Sequence, residues 1–194
     1  MHLTKEILTR PKALNIGDVK YPSNIFSMWT NAELAAIGIV PVTVDNTNLK
    51  DKEYYINTNQ SFAYDTETGV ATASYGTATA KAIADTLYTA QDETDGLGTE
   101  GEVRTRGLKY YKKENINAQA AGALAPTDWM IIRAADGGTA VPSDITTKRA
   151  AVRTKANAMC TQIDAASDVD ALAALYVYND ATPPVRPLGE LPTV

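Results

Sequence analysis

Residues 141–166 read VPSDITTKRAAVRTKANAMCTQIDAA, and this stretch decides the fold class. Ile145, Val152, Ala156, Met159 and Ile163 fall in one narrow stripe at 100° per residue, while Thr147, Thr154 and Thr161 mark the opposite face. Ser143 stands as a helix N-cap, and Asp144 lies at the positive helix end. Upstream, Leu108–Leu124 repeats apolar residues at helical spacing through Leu108, Tyr111, Ala118, Ala121 and Leu124. Between the two, Pro126-Thr127-Asp128 interrupts the pattern. Thr127 is placed to cap a short helix over Asp128–Ala134, with Trp129 and Ile132 on one face, ended by Gly137-Gly138. Ser167 is placed to cap a last helix, Asp168–Tyr176. Trp129 is expected between helices, and Arg149 and Arg153 border the stripe within reach of Asp128 or Asp136.

The N-terminal half carries a different period. Ile7–Arg10, Leu14–Ile16 and Val19–Tyr21 are short strand-like runs, the last two joined by Gly17-Asp18, a tight-hairpin signal. Thr30 with Glu33 has capping-box spacing before a helix that Gly38 stops. Pro41 marks Ile39–Val44 as an edge strand. Tyr54–Asn57, Ser61–Tyr64 and Val70–Tyr75 form an expected antiparallel meander. From Gln91 to Glu102 there are five acidic residues, three glycines and no basic residue, the composition of a loop. Arg104, Arg106, Lys109, Lys112 and Lys113 follow at once. The expected organisation is α+β: a β-rich docking domain over 1–80, a linker over 81–103, a helical domain over 104–180, and an extended tail over 181–194 carrying Pro183, Pro184, Pro187 and Pro192.

The totals bound the function. The 194 residues are 44% hydrophobic and 21% charged, enough for a core without disulfides or metal. A net charge of −5 argues against general nucleic-acid binding. No apolar run reaches the length of a membrane span. Met1–Pro11 has Lys5, Glu6 and Arg10 where a signal peptide has its apolar core. Folding in a reducing cytoplasm is expected, and the single cysteine, Cys160, agrees.

Little in the chain carries chemistry. One histidine, His2, leaves no internal Ser-His-Asp or Cys-His arrangement and no multi-histidine metal site. Asp92, Glu93 and Asp95 miss the calcium-loop spacing. No glycine motif has the strand-to-helix setting that cradles phosphate. No cofactor and no catalytic residue is expected. The ten tyrosines against two phenylalanines fit either a solvated sheet face or a surface built for subunit contacts. Tyr54, Tyr55, Tyr64 and Tyr75, with Pro183, Pro184 and Pro187, are the candidate contact residues.

One ordered block adds a lineage. Leu124-Ala125-Pro126-Thr127-Asp128-Trp129-Met130-Ile131-Ile132-Arg133 is followed by Asp136-Gly137-Gly138, Val141-Pro142 and Lys148-Arg149-Ala150-Ala151-Val152-Arg153. It resembles the C-terminal half of tail or virion proteins of marine phages, such as those of cyanobacteria, and the C-terminal part of phage tail-fibre assembly chaperones. Tyr21-Pro22-Ser23-Asn24 and Glu33-Leu34-Ala35-Ala36-Ile37-Gly38-Ile39 resemble the same marine-phage group. The resemblance implies a tail structural protein (fibre, baseplate or collar) present in symmetric copies in the virion, with tail-fibre chaperone as the alternative. The implied partners are other phage tail proteins, met first in the host cytoplasm.

Overall fold

The clearest local rule is met at Thr30. Its hydroxyl accepts from the Glu33 backbone N–H at 3.3 Å, while the Glu33 carboxylate accepts from the Thr30 N–H at 2.8 Å. Two donors that a helix start would leave orphaned are thereby satisfied. In the computed structural model, which describes residues 2–4, 7–9 and 11–194, this box opens a helix that ends before Gly38, at φ 78°.

The chain divides into two units, Met1–Thr79 and Ala80–Val194. The first holds β1 (His2–Thr4), β2 (Ile7–Thr9), β3 (Leu14–Ile16), β4 (Val19–Tyr21), α1 (Ile25–Met28), α2 (Asn31–Ala36), β5 (Ile39–Asp45), β6 (Tyr55–Ile56), β7 (Gln60–Asp65) and β8 (Val70–Tyr75). A two-residue strand, β9 (Thr79–Ala80), lies at the division. The β3–β4 pair is the hairpin expected around Gly17-Asp18, with Leu14 opposite Tyr21. Ile25, Leu34 and Ile39 form the buried core of this unit, with Leu14, Ile16, Tyr21, Phe26 and Ile37 packed on it.

The main sheet has the order β2-β1-β5-β8-β7. Strand β5 is therefore central, which corrects the edge position expected from Pro41. The reason lies in its pairing. Residues 39–41 pair antiparallel with β1, and Val42–Asp45 pair parallel with β8. Pro41 sits where one ladder ends and the other begins, so its missing N–H falls at their junction. The expected meander is met in part: β7 and β8 pair antiparallel, with Phe62 opposite Ala73 and Tyr64 opposite Ala71, while β6 lies outside the main sheet. Both alanines are buried, so large side chains of β7 face small ones of β8.

The second unit holds β10 (Thr86–Leu87), α3 (Ala90–Thr94), β11 (Val103–Thr105), α4 (Leu108–Leu124), a 3-10 turn at Ala125–Thr127, α5 (Asp128–Ala135), α6 (Ser143–Ala165) and α7 (Val169–Ala174). With strands in the first unit and helices dominating the second, the fold is α+β. Helices α4 and α6 pack together. They run antiparallel: Lys113 pairs with Asp164 at 2.8 Å near one end, and Arg149 donates to the Leu124 carbonyl at 2.7 Å near the other. On α6, Val152, Ala156, Met159 and Ile163 of the expected stripe are buried and Ile145 is half-buried, while Arg149 from its border is buried with them. Full burial of each large apolar member contributes about 1.5–3 kcal/mol. On α4 the buried residues are Ile116 and Ala120, while Tyr111, Ala118 and Ala121 are exposed. The stripe expected there was rotated because Lys109, Lys112 and Lys113 lie on the inner side. Their stems are half-buried while their ammonium groups reach polar or aromatic partners.

The stretch 81–103, expected as a linker, is folded. Thr89 and Asp92 make a capping box that opens α3, and Asp92 also pairs with Arg104 at 3.1 Å. Strands β10 and β11 pair antiparallel. The carbonyls of Ala82 and Ile83 accept from the Leu108 and Lys109 N–H groups, and the Asp85 carboxylate accepts from the Gly107 N–H at 2.8 Å. The start of α4 is thus capped from a distance. Gly107 is required there, since a Cβ would stand 2.3 Å from the Ala84 carbonyl.

These caps set an acid limit. The Asp85 carboxyl is held below the ordinary range, first by the Gly107 N–H and then by Arg106. Asp92 is lowered by the Thr89 N–H and hydroxyl, and Asp168 by the Ala171 N–H and then Ser167. A lowered folded-state pKa stabilises above the unfolded value and is lost as pH falls through the folded one. The melting temperature is therefore expected to be level from neutral pH to about pH 5 and to fall below about pH 4. Asp85→Asn should be less stable than the parent at neutral pH and lose less on acidification. Parallel acid limbs for the two proteins would remove Asp85 from this account.

The helix caps need three corrections. Ser143 is the first helical residue of α6, with Pro142 at the cap. The cap of α7 is Asp168, which accepts from the Ala171 N–H at 2.8 Å, while Ser167 donates to Asp168. Thr127 makes no cap bond to α5; its hydroxyl donates to the Leu124 carbonyl at 3.0 Å. At α7 a neighbouring carboxylate takes the cap, and at α5 the Thr127 hydroxyl is engaged by the preceding backbone.

The tail is also folded, against the extended form expected from its prolines. The Asn179 carbonyl oxygen of the side chain accepts from the Val185 and Ala181 N–H groups at 3.0 and 3.2 Å. The Leu188 N–H donates to the Leu175 carbonyl, and Lys155 donates to the Leu188 carbonyl at 2.9 Å. Leu188 is fully buried.

Candidate interaction surface

Helix α5 is built from the run Asp128-Trp129-Met130-Ile131-Ile132-Arg133. Its start is fixed by one side chain from α6. The Arg149 guanidinium, itself buried, donates to the Leu124 carbonyl, to the Thr127 hydroxyl at 2.5 Å and to Asp128 at 2.7 Å. The pairing of Arg149 with Asp128 is thus one of those open to it in the sequence. Arg153 lies exposed on α6. Glycine at φ 81° in position 137 turns the chain away after the helix.

No residue of α5 is buried. Trp129 is 52% exposed, Ile132 63% and Ile131 42%. This corrects the placing of Trp129 between helices. The Arg133 guanidinium covers the indole, 4.8 Å from the ring, in place of a core. At 100° per residue, Ile131, Ala135, Ile132 and Trp129 share one side of the helix, with Asp128 and Asp136 among them. A signal was present in the sequence. Four consecutive apolar residues encircle the helix, more than a single buried face of a two-turn helix can hold.

The other candidate contacts are dispersed. Tyr54 is buried, contrary to its expected role. The side chain of Asn57 brackets Lys50, accepting from its N–H and donating to its carbonyl, and Tyr54 turns inward from the loop so closed. Tyr55 and Tyr75 are half-buried, and Tyr64 is 51% exposed. Pro183, Pro184 and Pro187 are exposed. In this tail, Arg186 pairs with Glu190 and lies over the rings of Tyr176 and Tyr178. Tyr178 donates to Glu190, which raises the Tyr178 pKa. A shallow groove of about 430 Å³ runs beside it, lined by Val177, Tyr178, Val185 and Pro187 among others.

Elsewhere the polar groups serve structure. Burial pushes the Cys160 thiol up, which favours the unreactive protonated form. Asp92 is engaged by Thr89 and Arg104, and Asp95 accepts from Gln91. Among the described residues no group of three or more His, Cys, Asp or Glu side chains is placed to hold a metal. The side chain of His2 lies outside the described residues. Also among them, no helix is long and apolar enough to cross a membrane. No family model, curated protein or solved structure matches the chain.

Proposed function

We propose that this chain is a non-enzymatic structural protein of a bacteriophage tail, a fibre, baseplate or collar component that acts through contacts with other tail proteins. The observation that carries this reading is the outward face of α5. Trp129, Ile131 and Ile132 together form an exposed apolar patch of the kind that marks binding surfaces. Tryptophan is also the residue most enriched among those that dominate interface energies. The same residues lie inside the Thr-Asp-Trp to Arg-Ala-Ala-Val-Arg block whose resemblance to phage tail proteins was noted above. The Arg149 clamp gives that face a set direction, because it holds the helix at its start without using any residue of the patch.

The test is mass spectrometry of purified particles of the phage that encodes the chain. Detection at several copies per particle supports a tail subunit. Absence from particles that need the gene for fibre attachment would transfer the protein to the chaperone class.

A variant tests the surface itself. Trp129→Ser is expected to change stability by less than about 1 kcal/mol, since the side chain is exposed. Incorporation into particles should fall, with a binding loss of about 2 kcal/mol or more if Trp129 anchors the contact. A folded variant that incorporates at the parental level would show that the contact lies elsewhere.

A further inference from the structure

Strand β7 closes one side of the main sheet, and among the described residues its outer edge has no strand partner. Such an edge presents unpaired N–H and C=O groups, and proteins usually guard it with lysine, proline or a bulge. The sequence Gln60-Ser61-Phe62-Ala63-Tyr64-Asp65 has neither residue, and its register with β8 is unbroken. Ser61, Ala63, Tyr64 and Asp65 are exposed.

We propose that this edge seats a second copy of the chain, paired antiparallel about a two-fold axis with Ala63 opposite Ala63 of that copy. The geometry narrows the register. A two-fold axis that relates antiparallel neighbours stands perpendicular to the sheet, so like faces stay together. Residue i must then oppose a residue of the same parity, because successive side chains alternate between faces. Two registers keep most of the strand paired: Phe62 on itself or Ala63 on itself. The second sets Tyr64 against Phe62 of the other copy, twice, on one face. Cross-strand aromatic pairs stabilise a ladder, and here they cover the ring that is most exposed on the strand. The first would oppose Tyr64 to Gln60.

Charge is compatible with this register. Asp65, the only charged residue of the strand, faces Ser61 of the second copy, so the two aspartates stand at opposite ends of the ladder. A single strand pair buries less than a standard interface of about 1,200–2,000 Å². The free dimer is accordingly weak and concentration-dependent, and it strengthens where other contacts hold the copies together.

Disulfide trapping reads the register directly. In the full chain carrying Cys160→Ser, single cysteines are placed at Ser61, Ala63 and Asp65, all exposed. Directly opposed residues in such a pair have Cα atoms about 4.5–5.5 Å apart, within disulfide reach. Ala63→Cys should form a covalent dimer under mild oxidation at least about tenfold faster than Ser61→Cys or Asp65→Cys, through its higher effective concentration. Mixing Ser61→Cys with Asp65→Cys should give the mixed dimer. Separately, Ala63→Lys opposes two like charges and should abolish concentration-dependent dimerisation in light scattering with an unchanged melting temperature. Equal trapping at the three positions, or undiminished association of Ala63→Lys, overturns the proposal.

Discussion

Replacing Arg149 with alanine is expected to destabilise the helical unit by about 2–4 kcal/mol, read as a lowered denaturant midpoint. The guanidinium is buried, and its donors meet the Leu124 carbonyl, the Thr127 hydroxyl and Asp128. Two of these acceptors lie at the turn from α4 to α5, where backbone groups have no helical partner. Removing the guanidinium takes one donor from each of them, leaving the Leu124 carbonyl with the Thr127 hydroxyl alone, and empties a buried volume. The carboxylate contributes less, because the Asp128 side chain is 54% exposed. Asp128→Asn should therefore cost about 1 kcal/mol or less. Arg149→Lys should recover only part of the loss, since a point ammonium cannot reach three acceptors with fixed fork geometry. If Arg149→Ala unfolds within about 0.5 kcal/mol of the parent, the clamp is not what orients α5.

Leu188→Ala is expected to cost about 2–4 kcal/mol, as for a buried leucine in any core. The interest lies in its address. Leu188 follows a run with three prolines and would be assigned to a free tail by composition. It is instead fully buried, and its backbone is held on both sides by Leu175 and Lys155. Pro187→Ala, one residue away and exposed, should stay within about 1 kcal/mol of the parent. Chains ending at Asp180 would for the same reason be destabilised, so lost incorporation would follow from misfolding as readily as from a lost contact. Equal stabilities for Leu188→Ala and Pro187→Ala would detach the tail from the core.

Most residues read correctly from sequence have partners near in the chain. Thr30 and Glu33 are three apart, and Gly17-Asp18 joins its own two strands. The α6 stripe recurs within a single helix, so its period alone identifies the inward face. Some misread residues depend on distant ones, while the caps at Thr127 and Ser167 were decided by a choice among near neighbours. Pro41 looked like an edge marker because nothing local shows that β1 and β8 meet β5 on either side of it. Tyr54 sits on a short strand-like run whose period does not say which of two adjacent tyrosines is buried, and the fold buries Tyr54 while Tyr55 stays half-buried. The candidate surface was half legible. The block around Trp129 stood out, but its direction did not.

By itself the sequence determined the α+β order of elements, the buried stripe of α6, the Thr30 box and the scarcity of reactive groups. These follow from period, capping chemistry and composition, all local or additive properties. Only the tertiary structure decided that Trp129 faces outward, that residues 81–103 cap α4 and that Leu188 completes a core. Each of those depends on which surfaces meet after the chain has closed long loops. An apolar residue on a short helix lowers its free energy against whatever surface arrives first, and for α5 the Arg149 clamp fixes the start of the helix while, among the described residues, its apolar side stays exposed.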